Sequence, residues 1–171
     1  LLSSFIVLAM MLVLSPFTRA EVPPLPPECK QQPLAVNDPK TPEEDFQLVL
    51  ICVPENWNRS LVIYAHGFVP PQPQFPLVLP INELTIDNTF LPQLLLAHGF
   101  GFTTSSYHKN GAVTQQAIGD LLDLLNFFQG SVGLPSHVFI IGGSEGGLTA
   151  VQLLEQHPDQ FAGGLALCAP V

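Results

Sequence analysis

Basic residues are what this sequence has least of: lysine and arginine together number 5, against 14 acidic residues, for a formal charge of −9. A chain with no basic stripe cannot neutralise phosphates, which excludes nucleic acid as a partner. Charged residues of either sign make up only 11% of the chain and 47% is apolar, the reverse of a disordered composition. The 13 glycines follow no triplet period, and no apolar heptad is present, which excludes a collagen-like chain and a coiled coil. Metal-ligand spacings such as H-x-x-x-H and C-x-x-C are missing, and Glu43-Glu44-Asp45 reads as a solvated face, so no metal is expected. No cofactor is expected either. G-x-G-x-x-G is not satisfied, and no lysine follows a glycine turn as in a phosphate-binding loop.

What is present is organised along the chain. Leu1 to Phe17 carries no charge and runs into Thr18-Arg19-Ala20, the pattern of a secretory signal cleaved after Ala20, with its own start missing. A membrane anchor is the alternative; Pro16 and Arg19 interrupt the run and favour the signal. The protein is therefore expected to be secreted or periplasmic, with no stable membrane insertion after cleavage. The start at Leu1 and the apolar finish at Val171 read as a fragment cut at both ends. Export permits disulfides. Cys29 and Cys52 could staple the opening segment to the first strand, although three cysteines do not fix a pairing, and Cys168 reads as a small buried hydrophobe.

Residues 21–45 hold Pro23, Pro24, Pro26, Pro27, Pro33 and Pro39 and read as an extended, polyproline-like opening segment. Residues 46–171 read as one partial domain. Strands are predicted at Phe46 to Val53 and Leu61 to Tyr64, paired as a hairpin, and at Gly101 to Ser105, His137 to Ile141 and Gly163 to Cys168. Helices are predicted at Thr89 to His98, Ala112 to Phe128 and Gly147 to His157, the second from the spacing of Ile118, Leu121, Leu122, Leu125 and Phe128. Apolar strands alternating with helices predict an α/β fold, a mostly parallel sheet covered on both faces.

Gly142-x-Ser144-x-Gly146 sits between the last predicted strand-helix pair. A serine on a strained strand-to-helix turn has its Oγ thrust out of the sheet, and the glycines let strand and helix pass closely. The helix N-terminus adds free N–H groups where negative charge develops. A glycine phosphate loop and a purely structural turn are the competing uses of such a string. Earlier in the chain, His66-Gly67-Phe68 directly follows a buried strand. Acyl transfer needs two N–H donors for its oxyanion, and the backbone of Phe68 and of Glu145, the residue after the serine, are the candidates.

These residues together resemble the α/β-hydrolase superfamily, from about Phe46 onwards. The histidine-glycine loop, the strand before the elbow, the elbow and the strand Gly163-Gly-Leu-Ala-Leu-Cys168 come in that family's order. Gly101-Phe-Thr-Thr-Ser-Ser-Tyr-His-Lys-Asn-Gly111 and Gly143-Ser-Glu-Gly-Gly147 look like those of secreted esterases and peptidase-like hydrolases. The resemblance implies an α/β-hydrolase fold with its C-terminal strands missing, Ser144 as nucleophile, and Phe68 and Glu145 as oxyanion donors. It puts the triad's acid and histidine after the nucleophile, beyond Val171.

The visible histidines are poor substitutes. His98 and His157 end helices, His137 begins a strand, His66 reads as a hydrogen-bonded scaffold residue, and His108 reads as a solvated loop residue. The Glu145 side chain should diverge from the serine beside it. The expected function is a secreted serine hydrolase cleaving an ester or amide of a small-molecule or peptide substrate, the fragment itself being inactive. A peptidase of the same fold and a non-catalytic binding protein on the same scaffold are the alternatives. The segment Pro70 to Leu84, uncharged apart from Glu83, suggests a neutral, partly apolar acyl or alcohol group.

Overall fold

A computed structural model describes residues 23–36, 45–71 and 77–170. The expected signal segment, Glu43-Glu44 and residues 72–76 of the second proline-rich stretch lie outside the described residues. In chain order the elements are β1 (Cys29–Ala35), β2 (Phe46–Cys52), β3 (Ser60–Ala65), β4 (Thr85–Ile86), β5 (Thr89–Phe90) and α1 (Leu91–Ala97). They continue with β6 (Gly101–Ser105), α2 (Thr114–Ser131), β7 (His137–Gly143), α3 (Glu145–Gln156) and β8 (Gly163–Leu167). Strands β4 and β5 form a small ribbon, while the other six make one sheet in the order β1-β2-β6-β3-β7-β8.

Strand β3 explains the layering. Successive side chains point to opposite faces of a strand, and here both sets are apolar. Leu61, Ile63 and Ala65 join a core with Leu121, Leu124, Leu125 and Phe128 of α2 and with Ala150 and Leu153 of α3. Val62 and Tyr64 join a second core with Leu84, Phe90, Leu91 and Leu96 around α1. Covered on both sides, β3 runs parallel to β6 and to β7, and β7 runs parallel to β8. Three helices stand near the predicted positions, although Thr89–Phe90, expected to open the first, form strand β5. Pro92 occupies the first turn of α1, and Gly99, at φ +77°, ends it.

Four sequence expectations are corrected. The hairpin of β2 with β3 does not form, because β6 lies between them, antiparallel to β2 and parallel to β3. The connection is stitched across the start of β6: Asn58 N–H donates to the Gly99 carbonyl at 2.8 Å, so it spans two strand spacings, about 10 Å, instead of closing a turn. Secondly, the opening segment is more than extended. Cys29–Ala35 pairs along its whole length with β2, and Pro33, lacking a donor, is tolerated because β1 is the edge strand. Cys29 and Cys52 face each other in that register and form a disulfide.

The third correction concerns Cys168. Helices lie on both faces of the sheet, as expected, while over β7 and β8 one face is open among the described residues, leaving Leu165 50% exposed. Cys168, just beyond β8, is accordingly an exposed free thiol and not a buried hydrophobe. The fourth concerns His108. It is buried, and its environment is described with the site.

Candidate active site

The turn between β7 and α3 is built by two close approaches. A Cβ on Gly142 would stand 2.0 Å from the Gly146 carbonyl oxygen, and one on Gly146 would stand 2.0 Å from that of Ala65. No side chain fits either place, so both positions require glycine. Between them Ser144 is held at φ 54°, ψ −125°, a conformation that costs an L-residue energy and persists only where the surroundings enforce it. Part of that enforcement is the bond from Ser144 N–H to the Leu167 carbonyl at 2.8 Å, which ties the turn to the end of β8. The serine is exposed at the mouth of a hollow of about 430 Å³, with Tyr64, Gly67, Phe68, Glu83, Leu167 and Cys168 around it.

Glu145 opens α3, where the first N–H groups have no partner within the helix. Its side chain turns away from the serine as expected. Oε1 accepts the Val113 N–H at 2.7 Å and the Thr114 hydroxyl at 3.3 Å, which places the negative charge at the start of α2. The carboxylate is committed to helix α2.

The loop after β3 lies against the same turn. A Cβ on Gly67 would stand 3.5 Å from Ser144 Cβ and 3.7 Å from Glu83 Oε2. Gly67 N–H already donates to that Glu83 oxygen at 2.9 Å, and Phe68, half exposed, comes next on the rim of the hollow. The Tyr64 hydroxyl is also hydrogen-bonded to Glu83. Burial, together with this carboxylate's charge and hydrogen bond, pushes the Tyr64 phenol up to about 12.

His66 is a scaffold residue, as read from the sequence. It is 2% exposed, its Nδ1 donates to the Gly67 carbonyl at 2.6 Å, and its ring stacks on Tyr107 with centroids 3.9 Å apart. The Tyr107 hydroxyl donates to the His66 carbonyl at 3.2 Å. Burial, first of all, and the charges of Glu145, Glu83 and Asp120 raise the Tyr107 phenol well above its ordinary value.

His108 is not a solvated loop residue. Its Nδ1 lies 2.8 Å from Asp120 Oδ2, and the same oxygen accepts the His108 backbone N–H at 2.9 Å. Burial raises the Asp120 carboxyl, and the hydrogen bonds and charge of His108 pull it back. Sequence reasoning missed this pair, although a signal was there: Asp120 interrupts the apolar stripe of α2 between Ala117 and Leu121. An acid on a core-facing stripe needs a buried partner. None of the five histidines, all within the described residues, lines the hollow at Ser144.

The sheet order, the flanking helices and the strained turn define an α/β-hydrolase fold, and solved structures agree. The chain superposes on a thermostable carboxyl esterase from Bacillus coagulans with a TM-score of 0.59, at 14% identity over 80% of this chain and 43% of that one. It is similar to the fluorophosphonate-binding serine hydrolase F of Staphylococcus aureus, with a TM-score of 0.57, 15% identity, and 82% and 57% of the two chains covered. A third likeness is to the acylaminoacyl peptidase of Pyrococcus horikoshii, with a TM-score of 0.55, 13% identity, and 80% and 22% covered. The chain spans less than two thirds of the length of each of these structures. No protein-family model and no curated protein matches it.

Proposed function

We propose that the whole protein is a serine hydrolase that cleaves an ester or amide through an acyl-enzyme on Ser144. The observation that carries this reading is the conformation of Ser144, φ 54° and ψ −125°, in a turn where glycine is obligatory on both sides. Strain of this kind has a use when a hydroxyl must project from the sheet toward a carbonyl. The Glu145 and Phe68 N–H groups are the oxyanion donors of the proposal. Glu145 heads a helix whose dipole favours negative charge at that point.

The general base is a histidine, oriented by an Asp or Glu, and both follow the nucleophile in the family's order. Residues 21–171 alone should therefore turn over no activated ester beyond background. A Ser144-dependent turnover by that piece would instead make one of the five visible histidines the base. The protein is also proposed to be exported. The uncharged run of residues 1–17 supports this, as does the Cys29–Cys52 disulfide, a bond that persists in oxidising compartments.

The deciding experiment is covalent labelling of the full-length protein by a fluorophosphonate. Labelling should disappear in Ser144→Ala, and hydrolysis should fall by about 10⁴-fold or more, since no acyl-enzyme can form. Labelling that survives the substitution would move the nucleophile elsewhere, and a wild type that never labels would favour a binding protein on this scaffold.

A further inference from the structure

Among the described residues, Glu83 is the one charged side chain on the wall of the hollow that holds Ser144. Two neutral donors meet its carboxylate, the Gly67 N–H and the Tyr64 hydroxyl, and no Lys, Arg or His pairs with it among the described residues. The basic residues of the described chain, Lys30, Arg59 and Lys109, all lie off the hollow. An unpaired carboxylate in a concave, partly desolvated wall draws cations from solution.

The position matters as much as the charge. Glu83 Oε2 and Ser144 Cβ both stand within 4 Å of the point where a Cβ on Gly67 would be. Acyl transfer at Ser144 develops negative charge on the substrate's carbonyl oxygen, and a fixed carboxylate this close opposes that charge. A positive group arriving with the substrate reverses the effect, because it pairs with Glu83 and offsets the repulsion in the same step.

We infer that Glu83 is a specificity-determining residue of the Ser144 site, and that it recognises a protonated amine next to the scissile carbonyl. The preferred substrates are then aminoacyl esters or amides with a free amino group. This rests on the hydrolase reading above and adds the substrate class to it. It departs from the neutral group suggested by the sequence of residues 70–84, because folding brings the segment's single charge to the serine.

The test compares 2-naphthyl alaninate with 2-naphthyl isobutyrate, which differ by an ammonium in place of a methyl group. In the full-length protein, kcat/KM should favour the alaninate by at least about tenfold, and added salt should reduce the preference. Glu83→Gln retains an acceptor for Gly67 N–H but removes the charge, so the preference should collapse whatever happens to the absolute rates. A preference unchanged within about twofold in Glu83→Gln would overturn the inference. Binding gives the same answer without turnover: Ser144→Ala should bind alaninamide more tightly than isobutyramide by calorimetry, and equal or absent binding of both would also overturn it. Failure of the nucleophile reading appears separately, as labelling or turnover that survives Ser144→Ala.

Discussion

The carboxylate of Glu145 accepts the backbone N–H of Val113 at 2.7 Å, although its own residue adjoins Ser144. One residue thus links the turn of Ser144 to the start of α2. The link explains why an acid beside the serine need not be an acid in the chemistry: its oxygens already hold a helix terminus. The backbone of Glu145 remains at the head of α3, free for a different task.

The glycines of the elbow and those of α2 should respond to the same substitution in opposite ways. Gly142→Ala or Gly146→Ala places a Cβ 2.0 Å from a backbone oxygen and should cost more than about 3 kcal/mol, or abolish folding. Gly119→Ala and Gly130→Ala meet nothing within 4 Å inside a helix and should each stabilise by about 0.5–1 kcal/mol. Urea denaturation of the four variants measures the contrast.

Tyrosinate absorbance should be almost absent from the folded protein at pH 10, where a free tyrosine is half ionised. The chain has two tyrosines, Tyr64 raised to about 12 and Tyr107 raised well above its ordinary value, first of all by burial. Because folding favours the neutral phenol in both, the associated stability is complete below pH 10, and the share of Tyr64 is lost as the pH climbs through about 12. In Glu83→Gln, Tyr64 should titrate earlier than in the wild type, since the carboxylate is the second cause of its shift. Absorbance at 295 nm against pH reads both effects.

Breaking the buried His108–Asp120 pair should be costly. Asp120→Ala leaves an imidazole and a backbone N–H in the interior without their acceptor, for a loss of about 3–5 kcal/mol. His108→Ala should cost a similar amount, and the double variant less than the two together. Additive losses in thermal melts would mean that the two side chains do not support each other.

The sequence was most informative where chemistry and backbone demand coincide. Gly142, Ser144 and Gly146 carry their geometry in their identities, and the apolar spacing of Ile118, Leu121, Leu125 and Phe128 marks a helix face unaided. Strand neighbours were less legible. A hairpin of β2 with β3 satisfies the same local pattern as the observed arrangement, and only long-range pairing of β6 with both strands sets them apart. At the site, Glu83 could be read as a charge but not as a neighbour of Ser144, because long-range folding alone brings them together. His108 was misread for the same reason: its partner lies on the next helix.

Reduction should expose how far β1 depends on its staple. The Cys29–Cys52 bond spans 23 positions, and for a loop of that size the chain-entropy estimate is about 3 kcal/mol. Cys29→Ser should lower stability by that order, and β1 should exchange its amide protons before β3 does. Equal protection of the two strands after reduction would show that pairing with β2 suffices.

The bond from Ser144 N–H to Leu167 has a consequence for the order of assembly. The serine's turn is tied to a strand made after it, so a nascent chain halted before Leu167 carries Ser144 without the acceptor that fixes its backbone. The turn is therefore set only once β8 has zipped onto β7, and in stalled chains of increasing length the Ser144 amide should gain protection from hydrogen exchange at that strand and not at the serine.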